Sequence, residues 1–141
     1  MTLTNKNKRI LNILRTNARI KKTEIAKQIG VQLSSASTMI DCIERKAKPR
    51  YASLIDFKKA GYTIRILIVV DAGKDRTTEF LYAHQNINTL HKIDENVYLV
   101  EAVFKNMKLM ADFTEELEDT GAIIKKEYHI IEDLKREEMV V

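Results

Sequence analysis

The chain has 141 residues, 45% of them apolar and 31% charged, with a formal net charge of +4. That is an ordinary globular mix, enough for one domain or two small ones, without low-complexity segments or internal repeats. The longest apolar run, Ile66–Val70, is too short to span a bilayer, the basic N-terminus has no signal-like apolar stretch, and a lone Cys42 excludes an internal disulfide and fits a reducing cytoplasm.

The charge is unevenly placed. Residues 1–50 hold twelve Lys/Arg against three Asp/Glu, a net +9, whereas residues 51–141 hold twelve against seventeen, a net −5. Two modules with different partners are expected, and the basic one suits a polyanion. Pro49, the only proline, removes a backbone donor and disfavours the α region for the residue before it. Helical periodicity precedes it and strand-like periodicity follows. The boundary is therefore placed near residue 50, with 1–50 as the first domain, 51–61 as a linker strand and 62–141 as the second domain.

In chain order, Ile10, Leu11 and Leu14 predict a helix over 4–16. Thr23 reads as the N-cap of a second helix over 23–29, which buries Ile25, Ala26 and Ile29. Gly30 suits the left-handed position that ends it. A third helix starts near Leu33 or Ser34, with Ala36, Ile40 and Ile43 inward and Ser34 or Ser35 as its cap. "YASLIDF" (51–57) reads as a short strand, and "YTIRILIVVDAG" (62–73) as a longer one. Residues 75–85 form a helix capped by Thr77 or Thr78, with Phe80, Leu81 and His84 inward. Strands at 87–94 and 96–104 meet at a tight polar turn. A helix at 106–121 ends at Gly121 and turns Met107, Met110, Phe113 and Leu117 inward. A last strand occupies 122–133, and the tail from 134 is expected to fray or to dock on a partner.

The order βαββαβ over 62–133 is the ferredoxin-like arrangement, so the fold class is α+β. Ile64, Ile66, Ile68 and Val70 share one face of the first strand. Arg65, Leu67 and Val69 share the other. Both faces are mostly apolar but the helices cover only one, so a second copy is expected on the free face.

A basic three-helix unit bent at a glycine is the helix-turn-helix pattern, in which the third helix enters a DNA major groove. Ser34, Ser35, Ser37 and Thr38 crowd the first turns of that helix, where short hydroxyl side chains meet phosphates and base edges. Lys21, Lys22, Lys27, Arg45, Lys46, Lys48 and Arg50 are the candidate phosphate contacts. Asp41 would be repelled by a phosphate, and it either reads a cytosine amine or lies off the interface. No Cys-x-x-Cys pair, Ser-His-Asp set or phosphate loop is present, and the three histidines fall on separate elements. No catalytic, metal or cofactor residue is assigned.

"RILNILRTNARI" (9–20), "TEIAKQIG" (23–30), "IDCIERK" (40–46) and "RYASLID" (50–56), followed by the ferredoxin-like half, resemble the Lrp/AsnC, or feast/famine, transcription regulators. The resemblance implies a winged-helix-like DNA-binding domain and a second domain that oligomerises and binds effector. It also implies back-to-back dimers, often built into tetramers, octamers or discs, and an amino acid or other small molecule bound between subunits. Asp94, Glu95 and Asn96 stand where the family commonly has a Gly-Asp turn near its effector site, and are the effector candidates. Two alternatives share parts of this pattern: an architectural chromatin protein with little sequence preference, and a tetrapyrrole decarboxylase of the same two-module plan.

Overall fold

The computed structural model describes residues 2–141. The chain divides into two compact units, one made of the residues up to Ser53 together with Leu134–Val141, the other of Leu54–Asp133.

In the first unit, α1 (Asn5–Thr16), α2 (Lys22–Ile29) and α3 (Leu33–Ala47) pack around Ile10, Leu14, Ile25, Ile29, Ile40 and Ile43. Thr4 caps α1 by accepting the Asn7 N–H at 3.2 Å. The Asn7 side chain is buried and donates to Cys42 Sγ at 3.7 Å, tying α1 to α3. Gly30 ends α2 at φ 72°, as its position required. Two expected caps are corrected. Thr23 lies inside α2, because the extended residue that opens the helix is Lys21, whose carbonyl takes the Glu24 and Ile25 N–H groups at 3.0 and 3.1 Å. Gln32 rather than a serine precedes α3, so Ser34 and Ser35 fall within its first turn and point outward.

The tail does not fray, because side chains of α1 hold its backbone. Asn12 grips Val141 with both side-chain atoms: Oδ1 accepts its N–H at 2.9 Å and Nδ2 donates to its carbonyl at 3.4 Å. One turn later Arg15 donates to the carbonyls of Met139 and Glu137 at 3.0 and 3.1 Å. The 62–141 assignment is therefore corrected, since the last eight residues, Leu134–Val141, belong to the first unit. The reason is local: side chains on α1 supply the partners that a tail backbone outside helix and sheet needs.

The expected linker strand is also corrected. Residues 51–56 pair with no strand, and Phe57–Gly61 form a turn. Asp56 accepts the Lys59 N–H at 3.1 Å, Tyr62 N–H closes on the Phe57 carbonyl at 2.8 Å, and Gly61 takes φ 90°. Local polar groups thus satisfy a backbone that has no neighbouring strand.

The second unit contains β1 (Ile64–Asp71), α4 (Asp75–Ala83), β2 (Ile87–Asp94), β3 (Val97–Phe104), α5 (Met107–Asp119) and β4 (Ile123–His129). The sheet order is β2-β3-β1-β4 and every neighbouring pair is antiparallel. Ile66, Ile68, Val70, Val100, Ala102 and Phe104 form one face and pack with Leu81, Met110, Phe113 and Leu117 of the helices. Met107, expected inward, is 54% exposed. At 3.6 residues per turn it stands roughly a quarter-turn from the Met110–Phe113–Leu117 stripe. Thr77 caps nothing; it is fully buried, and its hydroxyl bonds that of Thr120 at 2.8 Å.

Candidate nucleic-acid interface

Ala36, Ile40 and Ile43 commit one side of α3 to the core, and helical geometry then decides the rest. Ser34, Thr38, Asp41 and Arg45, spaced i, i+4, i+7, i+11, fall on the opposite side and are all exposed. Ser35 is exposed on the flank of that stripe, whereas Ser37 is half-buried. The Thr38 hydroxyl donates back to the Ser34 carbonyl at 3.1 Å, which leaves its oxygen as an acceptor. Ser34, Ser35 and Ser37 make no internal side-chain hydrogen bond among the described residues. Asp41 lies within the hydroxyl stripe. Arg45 Nε reaches its carbonyl at 3.4 Å, so the side-chain carboxylate keeps its charge open to the stripe.

The cations surround this surface in sequence. Lys21 and Lys22 open α2, Lys27 lies in its last turn, and Arg45, Lys46, Lys48 and Arg50 follow down α3 and past its end, where Lys48 takes a left-handed φ of 45°. All are exposed, and among the described residues none of them is in an ion pair. A set of unneutralised cations around a hydroxyl stripe is chemically suited to an anionic backbone.

The effector candidates Asp94, Glu95 and Asn96 form the exposed tip of the β2–β3 hairpin. Asp94 accepts the Glu95 N–H at 2.7 Å, Asn96 is left-handed at φ 58°, and Lys92 pairs with Glu95 at 3.7 Å.

Sequence reasoning missed a charged cluster on the free face of the sheet. Arg65, on β1, pairs with Glu101 of β3 at 3.2 Å and with Asp133 at 2.8 Å, and Asn88 donates to the same Glu101. The Phe57 ring lies 4.9 Å under the guanidinium. Burial alone would lower the Arg65 pKa, but the hydrogen bonds and charges of Asp133 and Glu101 outweigh it and raise it. The available signal was an arginine inside an apolar strand, which needs an acid to meet it.

Residues 3–41 match the winged helix-turn-helix DNA-binding family. The uncharacterized HTH-type transcriptional regulator YugG of Bacillus subtilis is 33% identical over 113 residues, a match that spans 74% of this chain and 64% of YugG. A transcriptional regulator of Neisseria meningitidis, solved in complex with L-Met, superposes with a TM-score of 0.83 over 96% of this chain and 94% of its own, at 19% identity. An AsnC-family regulator of Pyrococcus furiosus superposes at 0.77 over 99% and 96%, at 22% identity. The chain has the two-unit α+β fold of the AsnC/Lrp regulators. Within that Lrp-type fold, the cations and hydroxyls described above all lie in the unit that carries the helix-turn-helix match, and the free sheet face lies in the other.

Proposed function

We propose that the protein is a DNA-binding transcription regulator of the Lrp/AsnC type, working in the cytoplasm as a dimer or higher assembly and without catalysis. The observation that carries this is the α3 surface. In and just after the segment matching a winged helix-turn-helix, the hydroxyls of Ser34, Ser35, Ser37 and Thr38 stand among cations that form no ion pair among the described residues. In this reading Lys21, Lys22, Lys48 and Arg50 hold phosphates, and Arg45 and the hydroxyls lie along the groove. Two copies joined through the free sheet faces present two α3 helices to major grooves about one helical turn, roughly 34 Å, apart. The sheet face offers half-buried Leu67, Val69 and Leu99 and an exposed Tyr128 for that contact. A small-molecule effector, with Asp94, Glu95 and Asn96 near its site, is part of the same proposal, supported by the L-Met complex of the Neisseria protein.

The test is a titration of duplex DNA fragments from the source genome at a series of salt concentrations. Binding should weaken steeply with salt. Lys21→Glu with Lys22→Glu removes four phosphate contacts per dimer and should flatten the log–log slope by about 3 to 4. Failure to bind duplex DNA in dilute buffer overturns the proposal, and an unchanged slope overturns the phosphate assignment.

A further inference from the structure

The second unit contains a cavity of about 510 Å³ at the end of the sheet where β2 begins and β3 ends. Its walls include Ile55, Phe57 and Tyr62, together with Asn86, Lys105 and Leu109. It lies at the opposite end of the β2–β3 hairpin from the Asp94–Asn96 tip, since Ile87 pairs with Ala102 at one end and Asp94 with Val97 at the other. The volume falls in the range of small-molecule sites.

The walls are built rather than incidental. The Phe57–Gly61 turn is closed by its own hydrogen bonds, and Phe57 also stacks on Arg65. Asn86 is held by its side-chain donation to the Val103 carbonyl at 2.8 Å. Among the described residues, Lys105 supplies the only charged side chain in the lining. It is in no ion pair among the described residues, and its ammonium lies 5.7 Å from the Tyr62 ring centroid. Among the described residues the lining contains no carboxylate, and Glu101, which touches the lining residue Asn88, is already held by Asn88 and Arg65.

This composition selects a ligand chemistry. An anion can pair with Lys105, and an apolar body can lie against Ile55, Phe57 and Leu109. An ammonium group would find no acid to meet it and would be repelled by Lys105, so an α-amino acid loses on entry what the same skeleton without its amine retains. We propose that this cavity binds a small monocarboxylate with an apolar body and no amino group, anchored by Lys105. Its use as an effector site rests on the regulator reading above, and it is suggested by the position of Ile55 and Phe57 just past the unit boundary at Ser53. The binding itself does not rest on that reading.

The test uses the full-length protein without DNA and three probes of one skeleton: 3-phenylpropanoate, L-phenylalanine, which adds an ammonium, and 3-phenylpropanamide, which lacks the charge. Backbone amide shifts are followed by NMR. The acid should move residues 55–62, 85–88 and 105–109, and the other two probes should bind at least tenfold more weakly. Lys105 is exposed, so Lys105→Met should leave the melting temperature unchanged while weakening the acid at least tenfold, and Lys105→Arg should keep it within threefold. No shift at these residues, as when a second copy fills the space, overturns the proposal. So does equal binding of the amide or the amino acid, or indifference to Lys105→Met. Because DNA is absent, a protein that fails to bind duplexes can still pass this test, and the two readings fail separately.

Discussion

Arg65 puts a charge near the start of an apolar strand, and its surroundings decide what that costs. The side chain is 10% exposed, while its partners Glu101 and Asp133 are 15% and 34% exposed. Removing one member of a fully buried pair costs several kcal/mol and of an exposed pair almost nothing, so Arg65→Ala, which leaves two acids facing each other, should cost about 2 kcal/mol. Urea unfolding checks this, and a loss below about 0.5 kcal/mol would show that the acids simply turn to solvent. His84 behaves in the opposite sense. Burial between the Phe80 and Phe113 rings, at centroid distances of 5.1 and 4.9 Å, lowers its pKa, with Glu116 partly opposing. Its Nδ1 also accepts the Asn86 N–H at 3.2 Å, which favours the neutral ring. A histidine depressed in the folded state binds fewer protons there than in the unfolded chain. Stability therefore falls as pH drops below the ordinary histidine value of about 6.5, and levels off below the folded pKa. His84→Gln should reduce that part of the pH dependence in thermal melts between about pH 5 and 7; an unchanged curve would assign the effect to other groups.

At the scale of elements, periodicity and glycine chemistry were legible and capping was not. The stripes of α1, α2 and α3 and the alternation along β1 follow from spacing alone, because burial on one face imposes it. Thr23, Ser34, Ser35 and Thr77 all looked like caps, yet none caps its helix. A hydroxyl next to a helical stripe is equally suited to a groove-facing turn or, as in Thr77, to a buried bond with Thr120, and only the tertiary setting separates the cases. The tail clip was illegible for a related reason: Asn12 and Arg15 read backbone atoms more than a hundred residues away, which leave no side-chain pattern. Gly30 is the opposite case. Nothing lies within 4 Å of a Cβ built there, so at φ 72° the penalty for a side chain is purely conformational. Gly30→Ala should cost about 1 to 2 kcal/mol, and Gly30→Asn less. Equal stability of the alanine variant in chemical denaturation would mean that the α2–α3 turn relaxes away from the left-handed region.

For the whole molecule, the charge asymmetry announced two units. It could not announce that the chain returns to the first after completing the second. It did not reveal the ion cluster on the free face either, because Arg65 is on β1, Glu101 on β3 and Asp133 in the segment that follows β4, and they meet only once the sheet is assembled. That cluster sits beside the surface proposed to join two copies, which sharpens the choice of variant. Arg65 variants change stability and assembly together, and so cannot separate them. Leu67 is half-buried on the same face, pairs across β1–β3 with Glu101 and takes no part in the ion cluster. Leu67→Asp places a charge opposite Glu101, which disfavours the strand pair by less than about 1 kcal/mol, but it buries an unpaired carboxylate if a second copy covers the face. The variant should therefore remain folded by circular dichroism and sediment as a monomer at concentrations where the unmodified chain is a dimer. An unmodified chain that sediments as a folded monomer would overturn the proposed dimer, and a Leu67→Asp variant that still dimerises would move the assembly surface away from this face of the sheet.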